Sequence, residues 1–419
     1  MSVRGAPRMI TEIDTDTRGL PAPLFGVMTL PNGISQGFIT VTLGYVLTHQ
    51  GFSVAAVAGM IGLYLLPSAW KFLIGPVLDV SLTPRTWYML AISGVAVCLL
   101  IIAITPLTPA AAPLLSGLAF VLGASGSAAG SANQAVVALT IPVRLRGAIA
   151  GWKQSGNLGG TGIGGGIGLW ISSHAGGPNV AAAVLCAACV VAALPILWVR
   201  TPPRAAAVGW AGQASGLAGA LLNLARTRDG ALAGIAVVLP LALGAAASLL
   251  PAVAGDWRAS ADLVAMMTGL LGGMAAIPGC LIGGYLCARF TPRTVYMWAG
   301  LVCGLGEAAM ALAPHTPGMF AGFVLLNSVL LGVTWGAVSA VTLAVLPRVG
   351  AATIGTVLSS LTNLPVVVVT VFVGGVQTRH GSTAMLLVEA GLAVAAVAAY
   401  SLLAWVWRPA SANVAPVTA

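Results

Sequence analysis

The chain has 419 residues, 58% of them apolar and 6% charged, with a mean hydropathy of +0.99. A water-soluble domain carries about 25% charged residues, so this chain cannot clothe a surface for water and reads as an integral membrane protein. Its net charge of +9 comes without a basic cluster interleaved with aromatics, which argues against a nucleic-acid partner and for a topological origin of the charge.

Residues 1–23 form a polar tail with Glu12, Asp14 and Asp16 among three arginines and no apolar core of a signal peptide. Apolar runs long enough to cross a bilayer as helices then follow at 24–47, 54–76, 87–106, 113–141, 148–172 and 179–199. A connection over 200–230, rich in Arg, Pro and Ala, leads to a second set at 231–253, 262–286, 295–313, 319–346, 351–376 and 383–407, and residues 408–419 close the chain. The strand alternation of an outer-membrane barrel is absent. All six cysteines lie inside these spans, and Cys186 and Cys189 read as small packing residues rather than a redox or metal pair.

The two sets are copies. Residues Ile74 to Met89 read IGPVLDVSLTPRTWYM, and Ile282 to Met297, 208 positions later, read IGGYLCARFTPRTVYM. Pro142, Gly151, Asn157 and Leu158 return as Pro347, Gly355, Asn363 and Leu364. Six spans per copy is an even number, so both copies face the same way: a parallel duplication about an axis along the membrane normal. With the N-terminus inside, fourteen arginines fall on inner loops and tails (Arg4, Arg8, Arg18, Arg200, Arg204, Arg348 and Arg408 among them), and only Arg258 and Arg379 fall outside. The positive-inside rule then predicts two cytoplasmic termini. The expected fold is all-α: twelve transmembrane helices in two parallel-duplicated six-helix bundles, 24–199 and 231–407.

Twelve spans in two such halves, each with a conspicuous loop between its second and third spans, resemble the major facilitator superfamily. Gly75, Asp79 and Arg85 occupy places comparable to that family's loop motif, with Val80 where an Arg is usual. In the second copy Gly283 and Arg289 persist, and Cys287 stands at the Asp position. The segment from Lys71 to Asp79, KFLIGPVLD, is similar to the signature of the peptide–acetyl-CoA–drug branch, which includes the AmpG-type muropeptide permeases. The resemblance implies a bacterial inner-membrane permease that alternates access to a midplane site, without a resident cofactor.

Polar side chains inside a bilayer are costly and need a reason. Lys71 and Lys153 are the only lysines. They read either as a cationic floor that attracts an anionic solute, or as snorkelling side chains near the inner surface. Tyr64 lies two turns before Lys71, and Gln154 and Asn157 accompany Lys153. The resemblance implies that spans 1, 4, 7 and 10 line the cavity. This adds Asn32 and Gln36, then Asn133 and Gln134, then Asn327 and Trp335, with Asn363 as the echo of Asn157; interhelical hydrogen bonding is the alternative for each. Span 7 is nearly bare apart from Ser248.

Asp79 and Arg85, with Arg293 in the second copy, read as a gate at the inner surface, where a carboxylate can meet a helix N-terminus of the other half. A plain capping or topogenic role is the alternative. For proton coupling the acids at membrane depth are Glu307 and Glu389, with Glu307 the candidate; all four histidines fall in outer loops. A run from Gly159 to Gly168 contains a formal G-x-G-x-x-G. Lacking a preceding strand and a soluble domain, it reads as a helix-packing stripe at Gly160, Gly164 and Gly168, facing Gly269, Gly273, Gly279 and Gly283 of span 8.

The expected function is secondary active import of a small polar or anionic solute coupled to protons or another ion, by a monomer in the lipid bilayer. Efflux of drugs or metabolites by the same fold is the alternative, and a non-transporting receptor or assembly subunit a remoter one. No Ser/His/Asp set, acid pair or metal-ligand cluster at membrane depth suggests an enzyme.

Overall fold

A computed structural model describes residues 21–199, 219, 222, 225–239, 241, 244–347 and 350–407. The polar tail with Glu12, Asp14 and Asp16, and the arginines at 4, 8, 18, 200, 204, 348 and 408, lie outside the described residues. Among those described, the chain is helical, without a strand. Seven helices are long and apolar enough to cross a membrane by themselves, and Gly59–Ala69 with Lys71–Val80 makes an eighth span bent by 49°.

The remaining spans are interrupted or fused. Ala351–Val406 holds 56 residues. At about 1.5 Å of rise per residue it would be more than twice a bilayer's hydrocarbon thickness, and it divides at Gly381, whose φ of 84° and ψ of 177° suit a residue without a Cβ. These are spans 11 and 12. Span 1 is assembled from Ala22–Val27, Leu30–Gly37, the π-helical Phe38–Leu43 and Gly44–His49. Span 5 joins Arg146–Gly162, a π-helical turn Ile163–Ile167 and Gly168–His174. Span 7 is broken: Arg228–Val238 ends at the extended Leu239, and Ala245–Val253 starts afresh after Gly244, at φ 95°. With Pro84–Ile104 (span 3), Ala112–Thr140 (span 4), Gly177–Ala193 running on to Trp198 (span 6), Ala261–Arg289 with its π-helical stretch (span 8), Pro292–Leu312 (span 9) and Pro317–Ala344 (span 10), the order matches the twelve-helix, two-half architecture read from the sequence.

The repeated Thr-Pro-Arg-Thr performs the same task twice. Pro84 and Pro292 are the first residues of spans 3 and 9, where a missing N–H is harmless and the fixed φ suits a helix start. Thr83 accepts a hydrogen bond from the Thr86 N–H and caps span 3, whereas Thr291 makes no such side-chain bond. Six spans separate the two turns, so both lie on one face of the membrane, here termed the TPRT face.

The glycine stripe packs helices, but against another partner than the sequence suggests. Gly160 and Gly164 approach the span 1 backbone at Leu30 and Ile34, and Gly168 meets Thr42. Span 8 is reached instead through Gly147, Gly151 and Gly162: a methyl on Gly151 would lie 2.8 Å from the Gly284 Cα, and Gly273 sits opposite Gly162. Gly279 and Gly283 face Val329 and Val333 of span 10. One glycine-rich helix therefore has two close-packed faces, one holding span 1 and one holding the other half. A periodicity of four residues describes only the first.

Candidate functional site

Contacts between the halves concentrate near the TPRT face. Span 2 meets span 11, and span 5 meets spans 8 and 10. Span 11 begins after Gly350, a cap residue with no side chain to offer its free N–H groups. The Asp79 carboxylate, from the other half, supplies the acceptors: Ala352 N–H donates to Oδ1 at 3.1 Å and Thr353 N–H to Oδ2 at 2.7 Å. The negative charge also suits the positive end of the helix dipole. Beside it Gly75 lets the backbones touch, since a methyl there would lie 2.7 Å from the Thr353 Cα. Farther along span 2, the Cβ positions of Gly59 and Gly62 have nothing within 4 Å. Spans 2 and 11 thus pack backbone to backbone at the TPRT face.

Arg146 makes the complementary contact, which nothing in the residue pattern beyond topology announces. It is 4% exposed at the start of span 5. Its guanidinium donates to the carbonyls of Ala138 at 2.8 Å and Ile141 at 3.2 Å, at the end of span 4, and of Leu343 and Leu346, both at 2.8 Å, at the end of span 10. One cation thus satisfies carbonyls of a helix C-terminus in each half. The expected gate arginines behave differently. Arg85 reaches the Val199 carbonyl at 3.4 Å, and Arg293 pairs with Asp229 at 2.6 Å, so each ties together its own half rather than bridging the two. An arginine at the first turn of span 3 or 9 here points along the surface to the neighbouring chain end, not across the interface.

Above this closed end the first half gathers much of the expected polar set. Asn32 Nδ2 donates to Asn157 Oδ1 at 2.7 Å, joining spans 1 and 5, and the Tyr64 hydroxyl lies 3.5 Å from the Asn32 carbonyl. Gly126 of span 4 leaves the room that Asn32 fills. Lys153, one turn before Asn157, is 7% exposed. Lys71 opens the helix Lys71–Val80 at the bend that follows Pro67 and Trp70, close enough for its charge to oppose that of Lys153. Among the described residues neither ammonium has a hydrogen-bond or ion-pair partner. A cation at a helix N-terminus adds to the positive end of the dipole rather than offsetting it. Two lysine amines and a helix start therefore bear on one region at membrane depth, an arrangement that an anion would favour in its charged form.

Other expected residues are placed elsewhere. Asn133 is fully buried, and its amide donates to the Phe25 carbonyl at 3.3 Å and to Thr29 Oγ1 at 3.0 Å, so it fastens span 4 to span 1 and does not line the cavity. Gln134 packs over Gly355 of span 11 in the closed end. Asn327 accepts from the Cys303 thiol at 3.3 Å and borders a cleft with Glu307 inside the second half, away from the lysines. Gln36, Gln154 and Asn363 are half-buried, without side-chain hydrogen bonds among the described residues, and Trp335 packs on the apolar core near the closed end. Among the described residues no group of His, Cys, Asp and Glu could hold a metal ion.

Two duplicated six-helix halves, sealed together at one face and enclosing polar and cationic side chains at membrane depth, define a membrane transporter. The chain belongs to the Major Facilitator Superfamily, whose sequence profile matches residues 25–365. No curated protein sequence matches it. Among solved structures it is similar to the E. coli fucose:proton symporter (15% identity, TM-score 0.71), covering 92% of this chain and 98% of that one. It is also similar to a proton:xylose symporter bound to 6-bromo-6-deoxy-D-glucose (14% identity, TM-score 0.66, 93% and 96% covered). A third similar structure is the human organic anion transporter MFSD10 (17% identity, TM-score 0.70, 90% and 98% covered). At these identities the likeness establishes the fold.

Proposed function

We propose that the chain is a secondary active transporter that imports a small anionic solute across a bacterial inner membrane, coupled to protons, by rocking 24–199 against 231–407. In this reading the TPRT face, the connection 200–230 and both termini are cytoplasmic, as the arginine distribution requires. The observation that carries it is the Lys71–Lys153 pair: two lysine amines at membrane depth, neither with an ion-pair partner among the described residues. Asn32, Asn157 and Tyr64, with Gln36 and Gln154 on the same helices, supply hydrogen-bonding groups that orient the solute. Asp79 and Arg146 form the gate, closing the cytoplasmic end and releasing it once solute has bound. The similarity of Lys71 to Asp79 to the peptide–acetyl-CoA–drug branch adds muropeptide-like anions to the candidates. The organic anion transporter and the proton symporters that share the fold are compatible with this reading.

The test is a thermal-shift screen of the purified protein against organic acids, sugar phosphates, muropeptide fragments and neutral sugars. Anions are expected to raise Tm in the wild type, and the shift is expected to vanish in Lys71→Gln and Lys153→Gln while the unliganded Tm holds. A shift with neutral sugars alone, or one that survives both substitutions, overturns the anionic assignment. Solute accumulation in cells with and without a proton gradient separates import from efflux.

A further inference from the structure

The lysines belong to the first copy of the duplication; the buried acids belong to the second. Glu307 of span 9 is 3% exposed and Glu389 of span 12 is 1% exposed. Both oxygens of Glu307, and Oε1 of Glu389, are buried without a hydrogen-bond partner. Ala246 connects the two carboxyls, since it borders the cleft that Glu307 lines and its N–H meets Glu389. The other Glu389 oxygen, Oε2, accepts the Ala246 N–H in the first turn of Ala245–Val253, the segment that restarts span 7 after its break. A cleft with room for one water-sized species is bordered by Glu307, Asn327, Leu330 and the same Ala246 whose N–H meets Glu389. That size admits a proton carried by water and rejects an organic solute.

Two carboxylates side by side in a bilayer, with three unpartnered oxygens, cannot both remain charged. The charged form has one place to settle, Glu389, because only that residue meets a helix N-terminus. Span 7 faces the pair with Ala246, and span 10 with Asn327; neither brings a charge. The remaining titratable neighbour is the Cys303 thiol, which donates to Asn327. The first copy has Leu99 at the position corresponding to Glu307.

We propose that Glu307 and Glu389 form a proton-binding site whose occupancy sets the position of the second segment of span 7. This rests on the proton-coupled reading above and gives it a location. With the segment docked, as here, the pair carries one proton, on Glu307, and Glu389 is the carboxylate that receives the Ala246 N–H. When the segment withdraws, Glu389 loses its donor and takes one proton from water; on redocking it returns that proton. In the resemblance drawn from the sequence span 7 lines the cavity, and on that reading one proton accompanies each closing and opening.

Spin labels at Ser248→Cys on span 7 and Leu387→Cys on span 12 read the docking distance, and the six native cysteines are buried. The distance is expected to lengthen on acidification, and this response is expected to be lost in Glu389→Gln. It is also expected to be lost in Ala246→Pro, which deletes the donor at a first-turn position that tolerates proline. Infrared spectra at neutral pH are expected to show one non-ionised carboxyl that disappears in Glu307→Gln and persists in Glu389→Gln. A pH response retained in both span 7–span 12 variants, or a carboxyl band indifferent to Glu307, overturns the site. Neither readout needs a transported solute. A site that passes both in a protein that moves no solute with protons would leave the site standing and remove the symport; proton-driven uptake with both readouts negative would do the reverse.

Discussion

Asn32 and Asn133 carry the same side chain on adjacent helices, yet one bridges to the polar set around Lys153 and the other spends its amide N–H groups in joining span 4 to span 1. The sequence shows polarity at membrane depth but not direction, because an amide that faces a cavity and one that faces a neighbouring carbonyl leave the same pattern. Asn133→Ala is expected to lower stability by about 1 kcal/mol, the scale of one interhelical hydrogen bond in a membrane, while leaving anion-induced thermal shifts intact. Loss of the shift with unchanged Tm would place Asn133 in the solute site after all. The lysines were easier to read: as the only two in the chain, and at membrane depth, each needed an explanation. Arg146 was hidden by the same logic, since one more arginine near an inner loop looks topogenic until four carbonyls are seen converging on it.

At the scale of the element, the duplicated Thr-Pro-Arg-Thr and the apolar runs were enough to place twelve spans, because helix starts and hydropathy are local properties. Partner choice is not local. Gly33 of span 1 shows why: its Cβ position lies 2.8 Å from the Thr161 N and 2.9 Å from the Asn157 carbonyl carbon, so any side chain forces two backbones apart. Gly33→Ala is expected to reduce folded yield and Tm sharply. Gly59→Ala, at a position with nothing within 4 Å, is expected to be neutral, or to stabilise by up to about 1 kcal/mol through helix propensity. Thermal melts of the two variants in one detergent decide the matter; equal effects would mean that spans 1 and 5 are not locked together. The break in span 7 was equally illegible, as Leu239–Gly244 reads as apolar and continuous until Gly244 takes φ 95°.

For the whole molecule, two charges sit on helix ends at the closed end: Asp79 on the start of span 11, Arg146 on the ends of spans 4 and 10. Asp79→Asn keeps one acceptor and loses the charge; Arg146→Gln loses most of its donors. Each is expected to shift the population toward a state open at the TPRT face, read as a longer distance between spin labels at Thr140→Cys and Val345→Cys. The double variant is expected to exceed either single one. Distances unchanged in both would reduce Asp79 and Arg146 to static caps.

Both charges bind main-chain atoms, and this has a genetic consequence. Residues 352, 353, 343 and 346 contribute N–H or C=O groups that nearly every amino acid possesses, so the receiving side of the lock can drift freely in sequence without weakening it. Suppressors of an Asp79 or Arg146 defect should therefore not arise as matched side-chain swaps at those four positions. They should map to residues that tilt or slide spans 10 and 11 as rigid bodies.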